Sequence, residues 1–251
     1  MPDHYQNFAY VYDQFMDNIP YTDWSQYLIQ LFRTYNIADG SLVELGCGTG
    51  TMSLLMAQSG FQIIGIDNAT DMLTIAADKT FHQSNITLLC QDMACLELNR
   101  LYDGFYSVCD SINYLLSEED VRSTFQGVKQ YLKKKGVFIF DLKTPYFYQT
   151  ILGDQVFCDN REDCSYIWEN SYFEEDAVNQ YDLTIFIRQP DCSLFQRFTE
   201  THYQKAYSLA EIIDLLAASG LEYVTAYDAF TNNPPSKTSE RIYIIARNGE
   251  L

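Results

Sequence analysis

The sequence predicts an α/β fold: a seven-stranded, mostly parallel sheet with helices on both faces, carrying a small inserted antiparallel β cap. Three observations predict it. Between positions 42 and 142, five short apolar runs alternate with helically spaced segments, as in βαβ units around a sheet buried on both faces. A helix and two more apolar runs close the chain between 208 and 246. In the intervening stretch the helical period is lost, and apolar residues come to alternate with polar ones.

The elements follow in order. Trp24, Tyr27, Leu28, Leu31, Phe32 and Tyr35 form one apolar stripe, a helix over 24–35. Residues 42–45 are a buried strand ending in glycines, 52–59 a helix stopped by Gly60, and 61–66 a second strand. A helix over 71–79 and strands over 86–90 and 105–109 come next. Ser117 and Asp120 form a variant capping box before Val121, Phe125, Val128 and Leu132, and 137–142 is the fifth strand. The run Lys133-Lys134-Lys135 reads as the solvated end of that helix, where cations suit the dipole. Within the insert, Tyr181, Leu183, Ile185 and Ile187 alternate with Asp182, Thr184, Phe186 and Arg188, a half-buried strand. Residues 189–193 are a turn, and 194–207 return as another strand. Ser208 and Glu211 form a capping box for a helix faced by Leu209, Ile212, Ile213 and Leu216 and stopped by Gly220. Strands over 222–230 and 241–246 follow, joined by a turn-residue cluster at 231–236. The expected division is therefore a core of 1–142 and 207–251, with 143–206 as an inserted antiparallel cap.

Composition narrows the function. The formal charge of −18, from 16 Lys and Arg against 34 Asp and Glu, repels phosphate backbones and anionic membranes. Nucleic acid and membrane are not expected partners. Met1-Pro2-Asp3-His4 is polar with no apolar h-region after it, so no signal peptide is expected, and no apolar run reaches the ~18 residues that span a bilayer. The seven cysteines lack the short pair spacing of zinc sites. They are expected to be reduced and mostly packed in a cytoplasmic protein, with no metal. His4 and His82 sit in polar contexts and read as surface residues.

The informative constellation is Val43-Glu44-Leu45-Gly46-Cys47-Gly48-Thr49-Gly50, between the first strand and a helix. Glycines there let a backbone approach a ligand closely, and the helix start offers unpaired N–H groups. A cofactor is thus expected at the carboxyl end of the first strand. Asp67 ends the second strand 23 residues after Glu44, near the ~20-residue offset of a ribose-binding acid. Its alternative reading is the N-cap of the helix that follows. Gln91-Asp92-Met93 follows the third strand, where Asp92 suits an adenine amino group and Met93 its ring. A nicotinamide loop is G-x-G-x-x-G with a pyrophosphate on the helix start. Here the third glycine is Gly50, giving G-x-G-x-G.

That form resembles the first motif of class I S-adenosylmethionine (SAM)-dependent methyltransferases, whose fold is Rossmann-like. So do Asp67, Asp92, the segment 105–115 and Lys135-Gly136-Val137-Phe138-Ile139-Phe140-Asp141, in order over residues 41–141. Phe8-Ala9-Tyr10-Val11-Tyr12-Asp13 with Tyr21 and Trp24, the segment Asp110 to Leu115, and Tyr166-Ile167-Trp168-Glu169-Asn170 resemble a Firmicute subgroup. That subgroup is similar to the amino-sugar N,N-dimethyltransferases and, more distantly, to glycine N-methyltransferase. The resemblance implies SAM as cofactor, a small-molecule acceptor, an N-terminal helical segment 1–36 covering the site, and the insert as substrate lid. It implies that a Tyr covers the methyl end of SAM. Tyr12 matches best, with Tyr5 and Tyr21 as neighbouring alternatives. The implied cofactor residues are Tyr12, Trp24, Glu44, Gly46, Gly48, Asp67, Asn68, Met72, Asp92, Met93 and Asp110.

Methyl transfer from a sulfonium is an in-line displacement, so alignment matters more than a chemical catalyst. A base is required only where the nucleophile must lose a proton. The candidates for a chemical role are Asp110, His202 and Tyr12. A histidine side chain can serve as a base, which makes His202 a candidate; it reads otherwise as a packed or exposed strand histidine. Tyr114, Trp168, Glu169 and His202 are the candidate substrate residues: aromatic faces such as Tyr114 and Trp168 hold cations, the Glu169 carboxylate suits a substrate amine, and His202 lies on the insert that covers the site in the family. Glu169 reads equally as part of a solvated strand face. The rivals are a SAM-binding protein without turnover and a nicotinamide oxidoreductase. The pattern does not set the acceptor or the oligomeric state.

Overall fold

A computed structural model describes residues 9–189 and 192–249. Tyr5, Phe8 and His4, and Pro190 and Asp191 of the predicted 189–193 turn, lie outside the described residues. The chain runs α1 (Ala9–Phe15), α2 (Tyr21–Thr34), β1 (Ser41–Leu45), α3 (Thr51–Gln58), β2 (Gln62–Asp67), α4 (Thr70–Thr80), β3 (Ile86–Cys90), β4 (Tyr102–Ser107), α5 (Glu118–Tyr131) and β5 (Leu132–Lys143). An insert with β6 (Val156–Asn160), β7 (Cys164–Phe173), β8 (Val178–Arg188) and β9 (Phe195–Lys205) comes next. α6 (Leu209–Ala218), β10 (Leu221–Asp228) and β11 (Arg241–Asn248) complete the chain.

The large sheet has the order β10-β11-β5-β4-β1-β2-β3. Strands β1 to β5 pair in parallel, and only β11 runs against its neighbours. Alternation along each strand divides the core. Phe138, Phe140 and Leu142 of β5 face α5 and α6, whereas Val137 and Ile139 face α2 and α3. Capping at Ser208 and Glu211 takes the reciprocal form that the sequence suggests. Ser117 caps α5 by accepting the Asp120 N–H at 3.1 Å.

One local reading is corrected. Lys133-Lys134-Lys135 lies in the first turn-free residues of β5, not at a helix end. Leu132, only 1% exposed, pairs with Tyr102 and draws the chain into the sheet, while Lys133 pairs with Asp103 at 2.7 Å.

The second sheet has the order β6-β7-β8-β9, antiparallel throughout. A π-helical turn, Phe147–Leu152, leads into it. Asn113 fixes both ends of this insert. Its side chain accepts the Lys143 N–H at 3.0 Å and donates to the Lys143 and Lys205 carbonyls at 3.2 and 2.8 Å. Helix α1 packs on the inner face of the same sheet through Val11 and Phe15, against Cys164, Leu183 and Ile185.

Candidate functional site

Strand β1 lies between β2 and β4, where the chain order of the sheet reverses, the place where such sheets open a crevice at their carboxyl edge. A cavity of about 1410 Å³ opens there, between the large sheet and the insert. Its floor begins with the loop after β1. Gly46 and Gly48 have φ of 73° and 51°, conformations that a side chain strains. An added Cβ on Gly46 would lie 2.6 Å from Ser111, but on Gly48 it would meet nothing within 4 Å. The backbone at Gly48 thus faces open space.

Two acids shape this floor. Asp67 accepts the Gly48 N–H at 2.7 Å and the Ala69 N–H at 2.9 Å, tying the glycine loop to the start of α4. Burial raises its pKa, against the backbone hydrogen bonds that lower it. Glu44 is buried and accepts hydrogen bonds from Ser53 Oγ and from Tyr106 Oη at 3.0 Å. Burial pushes its pKa up to about 8. Asp92 is exposed at the rim and caps the short 3₁₀ turn Met93–Cys95 by accepting the Ala94 N–H at 2.9 Å. Asn68, Met72 and Met93 line the same end of the floor.

At the end of β4 the chain makes an unusual turn. Cys109 and Asp110 are consecutive non-glycine residues with φ of 61° and 56°. Left-handed backbone costs a side-chain-bearing residue about 1–2 kcal/mol each, so surrounding contacts must hold it. Buried Asp141 accepts the Cys109 N–H at 3.1 Å and the Asp110 N–H at 2.8 Å. Arg241 donates to Asp141 at 2.6 Å and to Asp110 at 2.7 Å, and its guanidinium lies 5.1 Å from the Trp24 ring centre. Asp110 also accepts from Gln204 at 2.7 Å and pairs with Lys143 at 3.3 Å. Burial alone would raise the Asp110 pKa, but the charges of Lys143 and Arg241 hold it below the ordinary value.

The roof comes from the insert and α1. Tyr181 stacks on His202 with ring centres 4.9 Å apart, and the Tyr114 and Tyr181 hydroxyls hydrogen bond. His202 Nε2 lies 3.4 Å from Glu200, both side chains almost fully buried. Trp168 contacts Tyr181 at 5.1 Å and donates to Asn170 at 3.2 Å. Tyr12 reaches the cavity from α1 and hydrogen bonds Tyr21. Asp13, its neighbour, accepts from Thr49 of the glycine loop at 2.6 Å and pairs with Lys79 at 2.6 Å.

The candidate residues thus meet around one cavity, Trp24 included, with a single exception. Glu169 is exposed on the outer face of β7, away from the cavity, because successive strand residues point to opposite sides and Trp168 points inward. Sequence reasoning gave no site role to Lys143 or Arg241, nor to Asp141, which it quoted only as the end of the 135–141 motif. The available signal was charge flanking apolar runs: Asp141 and Lys143 after 137–140 in β5, and Arg241 before 242–246 in β11.

A methyltransferase-domain family model matches residues 42–136. A Geobacillus sp. (strain WCH70) chain provisionally named a methyltransferase is 33% identical, over 97% of this chain and 99% of that one. A Bacillus subtilis (strain 168) chain, also provisionally named so, is 32% identical over 98% of each. The crystal structure of an SAM-dependent methyltransferase from Clostridium acetobutylicum superimposes with a TM-score of 0.87 at 29% identity, covering 98% of this chain and 99% of that one. SAM fits the cavity. The open face at Gly48 leaves room for a ligand against the backbone, and the volume exceeds the ~300–1,000 Å³ of a single small-molecule pocket.

Proposed function

The chain belongs to the class I SAM-dependent methyltransferases, and on that footing we propose that it methylates a nitrogen or oxygen atom of a small molecule, the acceptor best matched by the cavity being an amine. When bound, SAM supplies a methyl group activated by its sulfonium charge. In this reading Asp67 holds the ribose hydroxyls, Asp92 and Met93 the adenine, and the Gly46–Gly48 backbone the methionine tail, with Tyr12 above. Asn68, Met72, Glu44 and Trp24 complete that shell. Residues 143–206 act as an inserted lid whose inner face, through Trp168, Tyr181 and His202 with Tyr114 opposite, holds the acceptor and excludes water. His202, beside Glu200, takes the proton that the nucleophile loses.

The observation that carries this reading is the character of the lining. Aromatic faces line the cavity together with the carboxylates of Asp228 and Glu240, and Lys143 and Arg241 are the only Lys or Arg among the described lining residues. Both cations are paired to carboxylates. Such a surface favours a cationic guest, by ~0.5–2 kcal/mol for each aromatic face. No helix among the described residues is long and apolar enough to cross a membrane. We place the protein in the cytoplasm, a setting supported by its seven free thiols.

Calorimetry tests the cofactor. SAM and S-adenosylhomocysteine should bind with micromolar affinity, about 8 kcal/mol, and NADH should not. A screen of amines, amino sugars and hydroxylated acids for S-adenosylhomocysteine release then tests the acceptor. NADH binding without SAM binding would end the reading. Turnover confined to hydroxylated acids would remove the amine.

A further inference from the structure

We propose that Asp141 and Arg241 are positioning residues that clamp the left-handed Cys109–Asp110 turn against the cofactor loop, with Asp110 a third member of that clamp and not a proton acceptor. The inference rests on the methyltransferase reading for its catalytic meaning, but its geometry stands independently.

Two consecutive side-chain-bearing residues in left-handed backbone do not persist unless held. Their N–H groups converge, and such successive N–H groups form a concave seat for an anion. The anion here is internal. Asp141 gives one oxygen to each N–H, Oδ2 to Cys109 and Oδ1 to Asp110. Asp141 is fully buried near the end of β5, with no solvent to satisfy it. Arg241, at the start of β11, neutralises it and extends the same guanidinium to Asp110. Three strands thus meet at one charged knot.

Asp110 has little capacity left for chemistry. Its Oδ1 accepts from Arg241, and its Oδ2 accepts from Gln204 and faces Lys143. To take a proton from an acceptor it would have to release one of two cations.

The clamp reaches the cofactor loop through the next residue. Ser111 Oγ lies 3.4 Å from the Gly46 carbonyl, and Gly46 has no room for even a Cβ beside Ser111. A turn displaced by a few tenths of an ångström must therefore move the glycine loop or open a gap. On its other side, Arg241 covers Trp24, so both walls of the cavity read the same knot.

Two measurements test this. Hydrogen exchange followed by mass spectrometry needs no ligand. Asp141→Asn should accelerate exchange in peptides spanning 109–111 and 46–48 and leave β3 unchanged. Calorimetry with S-adenosylhomocysteine should show at least a tenfold loss of affinity in Asp141→Asn. Cys109→Gly, which adopts left-handed backbone without strain, should recover at least threefold in that background and change the wild-type affinity less than twofold. An ion pair that serves stability alone would not be rescued by glycine at 109. If Asp141→Asn loses its cooperative thermal transition, Arg241→Lys takes its place in both measurements, keeping the charge but not the two-sided bridge. Unchanged exchange at 109–111, or affinity within threefold of wild type without rescue, overturns the clamp. If the wild type binds no S-adenosylhomocysteine while Asp141→Asn still loosens both stretches, the cofactor reading fails and the clamp stands.

Discussion

Glu44 shows how a single side chain records its surroundings. Its carboxyl sits beneath the glycine loop among Ser53, Tyr106 and apolar strands, and burial lifts its pKa from an ordinary 4.5 to about 8. The folded chain then keeps a proton that the unfolded chain releases, so stability falls as pH rises between about 4.5 and 8. Glu44→Gln, which mimics the protonated form, should remove that slope. Thermal unfolding from pH 5 to 9 should show the wild type losing on the order of 2–4 kcal/mol relative to the variant, and parallel profiles would refute a neutral Glu44. Asp67 lends itself to a binding test. Asp67→Ala removes a charged acceptor whose bonds are each worth about 1.5–3 kcal/mol, so SAM affinity should fall at least ~tenfold with a cooperative transition retained. Normal binding would leave Asp67 as only the tie between the loop and α4. Residues such as Gly46, Gly48, Asp67 and Asp92 were legible in the sequence because short local spacings carry them. The pairing of Asp141 with Arg241 was not, because the two lie 100 positions apart and meet only through the β5–β11 pairing. The outward aim of Glu169 was legible in principle, since strand alternation forbids it from sharing a face with Trp168.

Among the elements, α1 joins the core to the insert beside the cavity. Its described part, Ala9–Phe15, spans seven residues. It is held from both sides. Asp13 joins Thr49 and Lys79 on the core, while Arg161 of the insert grips Asp17 through both terminal nitrogens, at 2.7 and 3.0 Å, and Phe15 meets Tyr166 edge-on at 4.8 Å. The Lys79–Asp13 pair is partly exposed, so its removal should weaken the whole protein by less than ~1 kcal/mol. Its effect should fall instead on the covering of the cavity. Lys79→Ala is expected to shift the melting temperature by no more than ~4 °C and to speed S-adenosylhomocysteine release severalfold in stopped-flow displacement. An unchanged release rate would show that α1 does not close over the ligand. The same reasoning explains which elements were legible. Parallel strands and amphipathic helices announce themselves by period, whereas β6 and the π-helical turn at Phe147–Leu152 are short and have none. The lysine run misled because charge at a helix end and charge on a strand entering a sheet look alike in sequence.

The whole molecule is two sheets with a cavity between them, and this arrangement divides the work of binding. The floor is the carboxyl edge of the large sheet, with the glycine loop, Asp67 and Asp92. The roof is the inner face of the insert, with Trp168, Tyr181 and His202, and Asn113 holds its two ends at one point of the core. If the floor holds SAM and the roof holds the acceptor, energy lost on one side should not appear on the other. Trp168→Ala and His202→Gln should lower methyl transfer at least tenfold yet leave S-adenosylhomocysteine affinity within about threefold, under ~0.7 kcal/mol. Asp67→Ala and Asp92→Ala should weaken S-adenosylhomocysteine binding and lower turnover at subsaturating SAM, an effect that saturating SAM largely reverses. Glu169→Ala provides the internal control. It sits on the same strand as Trp168 but outside the cavity, so it should alter neither quantity. The measurement is calorimetric affinity beside the rate of S-adenosylhomocysteine release for all five variants, with the acceptor found by the screen. Roof variants that weaken S-adenosylhomocysteine as much as floor variants do would mean that the insert clamps the cofactor itself. A Glu169→Ala defect equal to that of Trp168→Ala would mean that the insert acts through its stability as a sheet, because the two residues share backbone pairing and nothing of the cavity.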